Sequence, residues 1–424
     1  MLKDNNLFFK KTLFVLFIFF MFRLGSYISI PSVNTALIEP YLNSFNSELL
    51  TLINTFSGGS ASRFSILMLG IMPFVTATIF VQMLSLFIPK LKSLRESGEK
   101  GQIQLNRYTK YLTFFIALFQ SFIVSTKILE ASYQGISLVT TDILSFYITS
   151  TISLIGGTFI TVWMAEKINE YGYGSGITMM IFCGIISSIP QNISIIKNTA
   201  EFQTTNIGLI AFLLMIFGLF FLISYIENAR RNIKIITPDA REGESNYPIK
   251  INVASIMPAI FAFMLVSVPQ MIIGNLEQIG NFSLSVLWDN YFGYSKFFFF
   301  LFICSLIFIF SFIYGKILFN TKKLSESFRD NNIMVKGIRP NRPTENYLSS
   351  IRSKLIFISA SYLSLIVVLP EVFNYITGFY FYLGGISILI IVNVSMDVKN
   401  SFEANKNKAL ISQAEKYNKE IIGD

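Results

Sequence analysis

The side chains that most enzymes use to move protons are missing from this chain. None of its 424 residues is histidine, which removes the usual general base, the commonest metal ligand and the usual pH switch together. The two cysteines, Cys183 and Cys304, each lie inside an apolar run. They read as reduced, buried thiols rather than a disulfide or metal pair. No pair of acidic residues sits within an apolar stretch. What remains is branched aliphatic side chains at helical spacing, cations held in short stiff segments, and one arginine inside an apolar run.

Val75 and Ile79 are four residues apart, as are Ile181 and Ile185, so each pair shares one helix face. Spacing by itself reads as lipid or core contact. A ring of such side chains from several helices would instead make an apolar constriction that holds back ions by dewetting. Arg23 lies about two turns or more into the first apolar run. Two readings fit it equally: an anchor for neighbouring loops or helices, or a cation snorkelling to the outer interface. In GIRPNRPTENYL, Pro340 and Pro343 stiffen a stretch that presents Arg339 and Arg342, a rigidity that suits being gripped by a partner. ENARRNIK places Arg230 and Arg231 just beyond an apolar run, where orientation setting and partner binding both fit. YGYGSGI allows a tight turn or close backbone approach. It lacks the strand and acidic residue of a dinucleotide site.

The elements that must position these groups are membrane helices. The apolar fraction is 52% and the charged fraction 14%, on the membrane side of soluble averages. Charge-free runs include Phe64 to Ile88, Ile143 to Ala165, Phe202 to Ile226, Ile251 to Leu276 and Val372 to Met396. Each exceeds the roughly 20 residues a helix needs to cross a hydrocarbon core. Backbone polar groups cannot stay unpaired there, so the runs must be helical. Candidate spans are about 12–30, 66–88, 109–129, 143–165, 177–196, 207–226, 252–273, 297–318, 355–370 and 375–395. Of 34 Lys and Arg residues, 29 fall in or at the edges of alternate gaps between them, four in or at the edges of the other gaps, and Arg23 well within a span. This is the positive-inside pattern, and it predicts an even number of crossings with both ends in the cytoplasm. The net charge of +9 is read as orientation setting rather than nucleic-acid binding. The first run lacks a small-residue cleavage site and reads as an anchor, not a cleaved signal. Ten spans break into five plus five near 197–206, so the halves face opposite ways, as in an inverted-topology repeat. The external segment 31–65 ends in NTFSGGSASRF, whose small residues make no firm helix alone. The large inner linkers are 89–108, 227–250 and 319–353.

Seven segments, in order, resemble the SecY family, the channel subunits of bacterial and organellar protein translocases. They are FRLGSYISIPSVN, NTFSGGSASRFSILMLGIMPFVTATIFVQML, SGEKGQIQLNRYTKYLT with FQS, WMAEKINEYGYGSGITMMIFCGI, YPIKINVASIMPAIFA, GIRPNRPTENYL and YLGGISILIIV. The resemblance runs from about 12 to 400. It implies an all-α polytopic protein with ten transmembrane helices in two inverted five-helix halves around a central pore. The halves would be 1–196 and 207–395, followed by a cytoplasmic tail at 396–424. Val75, Ile79, Ile181, Ile185, Ile260 and Ile390 fall on the pore-ring positions. Stiff β-branched side chains suit a seal around a passing chain. The segment 55–65, with Phe56, Ser57, Gly58, Gly59 and Arg63, corresponds to a plug. Gln82 matches a polar position of the lateral gate, where a polar group in lipid is costly. Arg339 matches a loop arginine needed with the SecA motor, and Arg230, Arg231 and Arg241 belong to the other cytoplasmic loop used by SecA and the ribosome. The tip of that loop, 232–247, is shorter and less basic than is usual in the family, with Lys234 and Arg241 as its cations.

The expected function is therefore a protein-conducting channel that passes unfolded secretory chains and releases membrane segments sideways into lipid. It is not an enzyme and needs no cofactor. With no nucleotide motif, energy would come from SecA, the translating ribosome or the membrane potential, and small SecE and SecG subunits would brace the channel. A bacterial plasma membrane fits, as do thylakoid and inner mitochondrial membranes. The competing class is a solute transporter with an inverted repeat, which would need midplane polar groups that the spans scarcely offer. A membrane-embedded enzyme is disfavoured by the missing histidine and acid pairs.

Overall fold

A computed structural model of the chain describes residues 2–34, 37–38, 54–130, 132–133, 136–198, 206–237, 245–276, 297–377 and 384–422. These are mostly helical. The chain divides into two compact units, Met1–Ile196 with Val394–Asp424, and Lys197–Asn393.

The first unit holds α1 (Leu2–Gly25), α2 (Met72–Phe87), α3 (Pro89–Glu96), α4 (Glu99–Glu130), α5 (Ile143–Tyr171) and α6 (Gly176–Asn198). A short antiparallel hairpin of β1 (Ser132–Tyr133) and β2 (Ile136–Ser137) joins α4 to α5. The span expected over 66–88 is helical only from Met72. Residues 66–71 turn instead, with Gly70 at φ +53, and Pro73 sits in the first turn of α2, where its missing N–H is not needed. The first span likewise stops early. α1 ends at Gly25, and the Ser26 hydroxyl donates to the Arg23 carbonyl at 2.7 Å. The expected linker 89–108 is helical throughout most of its length. α2 and α3 meet at a bend of 104°, where Ile88 is extended and Pro89 opens the next helix.

α4 packs on α2, α3 and α5 through a stripe of mostly small residues at every fourth position: Gly101, Leu105, Thr109, Thr113, Ala117, Ser121 and Ser125, all buried. Small side chains let helix backbones approach where lipid supplies no hydrophobic drive. Their hydroxyls are satisfied locally. Thr109 donates to Leu105 O at 2.9 Å and Thr113 to Thr109 O at 2.7 Å, and the Ser125 and Ser150 hydroxyls meet at 2.8 Å between α4 and α5.

The second unit contains α7 (Asn206–Asn228), β3 (Arg230–Ile236), β4 (Ser245–Lys250), α8 (Met257–Leu276), α9 (Phe297–Leu318), α10 (Thr321–Asp330), β5 (Met334–Val335), α11 (Arg342–Thr377) and the start of α12 (Gly385–Ile422). α9 packs on α8 and α11, and Gly315 of α9 leaves room for the Ile356 side chain of α11. The expected inner linkers carry a three-stranded sheet of order β4-β3-β5. Arg230 pairs with Lys250 and Ile235 with Val335. The alternation in RRNIKII sends Ile233 and Ile235 inward, where with Ile249 they cover Phe328, Leu348, Ile351 and Leu355. Pro248 is tolerated because β4 is an edge strand.

Each expected span overlaps a helix. By length and composition, the helices able to cross a membrane are α4, α5, α9 running on into α10, α11 and α12, with the bent α2–α3 pair as a sixth. Shorter apolar stretches at Gly176–Pro190, Leu214–Asn228 and Met257–Val266 match the fifth, sixth and seventh spans.

Candidate functional site

The six aliphatic side chains expected at the pore ring are all buried. In the first unit, Val75 and Ile79 lie one turn apart on α2, and Ile181 and Ile185 one turn apart on α6. In the second, Ile260 stands in the first turn of α8 and Ile390 early in α12. Burial removes lipid contact from the lipid-or-core reading that spacing gives, and it fits core packing and an apolar ring alike.

Residues 54–65 form a compact bead in the first unit. It has a helical turn at 54–56, a 3-10 turn at Ala61–Arg63, and left-handed Gly58 (φ +69) and Gly59 (φ +81) between them. Glycine takes that conformation without a Cβ penalty. The bead bonds to itself. Gly59 N–H donates to Asn54 O at 2.8 Å, Ser62 N–H to Asn54 Oδ1 at 3.0 Å, and the Ser60 hydroxyl to Ser57 O at 2.8 Å. Phe56, Ser57, Gly58 and Gly59 are buried, and Arg63 is half-buried. Two helices seat it. On α6, Gly184 faces the Phe56 carbonyl so closely that a Cβ there would lie 2.1 Å from its oxygen. On α1, the Arg23 guanidinium donates to Gly58 O at 2.9 Å. Arg23 is thus the anchor, not a snorkelling cation. The chain leaving the bead is fixed by Ile30 N–H to Phe64 O at 3.1 Å and Ile66 N–H to Ile28 O at 3.0 Å.

Gln82 is half-buried on α2. Its Oε1 is buried and has no hydrogen-bond partner among the described residues, a state that costs about 1–3 kcal/mol.

The cations of the linker segments divide. Arg230 folds back on the end of α7, donating to Glu227 O at 2.7 Å, which complements the helix's carbonyl end. Arg231 and Arg339 are exposed. Arg241 lies outside the described residues. The expected stiffness of the Arg339 loop has a visible cause besides its prolines: Thr344, buried at the start of α11, donates its hydroxyl to Arg339 O at 2.8 Å, while Ser325 of α10 donates to Asn341 O at 3.2 Å. Thr344→Ala is expected to remove about 1 kcal/mol of that restraint. The measurable result is faster tryptic cleavage after Lys336, the exposed cation at the loop's edge that no proline follows, with the helices intact by circular dichroism.

One buried acid escaped the sequence reading. Glu227, at the last turn of α7, is 5% exposed and accepts from Asn252 Nδ2 at 2.5 Å. Asn393 of α12 also reaches it. Together they tie the root of the β3–β4 arm to the segment that leads into α8. The signal available was an acid one residue past the end of an expected span.

The family described as SecY matches residues 65–399. The protein translocase subunit SecY of Aquifex aeolicus is 34% identical over 406 residues, covering 93% of each chain. That of Escherichia coli K12 is 31% identical over 397 residues, covering 92% of this chain and 89% of its own. Among solved structures, one of a SecY whose plug domain stabilises the closed state superposes with a TM-score of 0.69 at 18% identity, covering 94% of this chain and 92% of that one. Sec61 in the canine ribosome-channel complex superposes with a TM-score of 0.60 at 17% identity, covering 94% and 93%. On the family match and those relatives, the chain belongs to the SecY family of protein translocase channel subunits.

Proposed function

We propose that the chain is a ten-span channel with both termini in the cytoplasm, through which unfolded secretory chains cross and from which membrane segments leave sideways. Val75, Ile79, Ile181, Ile185, Ile260 and Ile390 line its constriction, and residues 55–65 plug it at rest. This reading is supported by the family match, whose ring positions these six residues occupy by resemblance, together with the burial of all six side chains. An apolar ring seals without hydrogen-bonding its cargo, so sequence-diverse chains can pass. Gln82 belongs to the lateral gate, and its unpartnered oxygen keeps that seam from packing too firmly.

The chain has no nucleotide-binding motif, so the driving force comes from partners. Arg231 and Arg339 are the cations offered for SecA and the ribosome. Arg230 is held on its own helix end, and Arg241 is the further cation expected to meet these partners. SecE and SecG are the expected bracing subunits. Two solved relatives are ribosome-bound complexes, the canine Sec61 channel and the yeast Ssh1 complex on the 80S ribosome. The setting that fits is a bacterial plasma membrane, with plastid thylakoid or mitochondrial inner membrane as alternatives.

The test is a crosslink. A cysteine at position 79 or 185 is expected to trap a stalled secretory chain. Loss of both crosslinks, with a small solute protecting the two thiols instead, would favour a solute carrier.

A further inference from the structure

The bead at 54–65 is held to α1 by an arrangement that neither its glycines nor its self-bonding requires. Tyr27, one turn beyond Arg23, accepts a hydrogen bond from Arg23 Nη2 at 2.9 Å. The Arg23 guanidinium carbon lies 4.8 Å from the Tyr27 ring centroid, and that of Arg63, from the bead itself, lies 4.3 Å from it. One phenol ring thus serves two cations, one from each side of the contact. Neither guanidinium has an ion pair among the described residues. Each also holds a bead carbonyl, Arg23 that of Gly58 at 2.9 Å and Arg63 that of Gly59 at 3.4 Å.

Cations near an outer membrane surface ordinarily seek water or carboxylates. Here both turn to a ring and to backbone carbonyls, partners that a moving segment can leave without stranding a buried counter-charge. We infer that Arg23, Tyr27 and Arg63 form a releasable latch, and that Tyr27 is a positioning residue for the closed state. The inference rests on reading 55–65 as the plug. The latch rests on cation–π contacts and carbonyl bonds rather than on a salt bridge. It also resists screening better than an exposed ion pair does.

The probe is a thiol on the bead. In a full-length background with Cys183→Ala and Cys304→Ala, Ser62→Cys places a mostly buried sulfur there, since Ser62 is 9% exposed. Spheroplasts are treated with a membrane-impermeant maleimide, and ion leak is recorded in parallel. Tyr27→Leu is expected to speed labelling roughly fivefold, and Arg23→Ala roughly tenfold, since it loses a charge-assisted bond as well. Tyr27→Phe keeps the ring face and is expected to stay within about twofold of the parent. That rescue separates a ring-borne latch from simple damage to α1. If Tyr27→Leu fails to accumulate, Arg63→Ala reads the same contact from the bead's side, with roughly fivefold faster labelling expected. Unchanged labelling in Arg23→Ala together with Tyr27→Leu or Arg63→Ala overturns the latch, as does Tyr27→Phe behaving like Tyr27→Leu. Faster labelling with no added leak keeps the latch and removes the sealing role of 55–65.

Discussion

A single methyl group at position 184 is expected to leave the resting channel leaking ions. A Cβ on Gly184 would lie 2.1 Å from the Phe56 carbonyl oxygen and 2.8 Å from its carbon. Both are backbone atoms, so no side chain can swing away. The bead at 54–65 must lift or α6 must retreat. Overpacking of this kind costs about 1–3 kcal/mol, which shifts a two-state balance by roughly fivefold to 150-fold toward the unseated form. Gly184→Ala should therefore accumulate normally and raise ion flux in proteoliposomes by about tenfold or more. Gly157→Ala is the contrasting case. Its Cβ would lie 1.8 Å from the Ile66 oxygen, in a stretch tied down by the bonds to Ile28 and Ile30. Nothing there is free to yield, and loss of folded protein is expected rather than a leak. Sealing as tight as the parent's in Gly184→Ala would refute the seat.

Removing the buried carboxylate of Glu227 is expected to free the β3–β4 arm. Glu227→Ala leaves Asn252, 3% exposed, without its acceptor, and an orphaned buried donor costs about 1–3 kcal/mol. The Asn252 Oδ1 already has no partner among the described residues, so the side chain would retain no hydrogen bond there. Glu227→Gln keeps an acceptor at the same reach and is expected to lose less than half as much. Limited trypsin digestion of sealed inverted vesicles reads this directly. Cleavage after Arg230, Arg231 and Lys234 should quicken by roughly tenfold in the alanine variant and only slightly in the glutamine one. Equal protection of the two would mean that the carboxylate does not hold the arm.

How far the sequence reading reached depends on whether the local chemistry was redundant. Membrane helices were legible because twenty apolar residues in a row have few alternatives, and the helix that each expected span meets reflects that. The turn at 66–71 was not, because it is as apolar as the helix it precedes. Only the left-handed Gly70 and the following Pro73 betray it, and each also occurs within spans. The β3–β4–β5 sheet was read as loop, since RRNIKII is short, highly charged and carries just two inward positions. The small-residue stripe on α4 was in plain view at a period of four, but threonines and serines count as weak membrane formers unless their packing role is weighed. For the site, four-residue spacing paired Val75 with Ile79 and Ile181 with Ile185 without telling inside from outside. Arg23 stood out as a cation among apolar residues, yet its choice of Gly58 and Tyr27 needed coordinates, because both partners come from turns that no periodicity marks. Gly184 passed unnoticed: one glycine in an apolar helix has many explanations, and a carbonyl 2.1 Å from its missing methyl is visible only in three dimensions.

The way the 54–65 segment spends its hydrogen bonds has a kinetic consequence. Asn54, Ser57 and Ser60 satisfy many of its amides and carbonyls internally, so if 55–65 is the plug proposed above, a departing segment takes those bonds with it. It would then relocate as a preformed pellet once its contacts to α1 and α6 and its bonds to Ile30 and Leu67 are broken, with little naked backbone to be rehydrated on the way out or searched for on return. Opening and resealing are then expected to be limited by rigid-body displacement, on the microsecond to millisecond scale of collective motions, so the barrier can re-form between one cargo and the next.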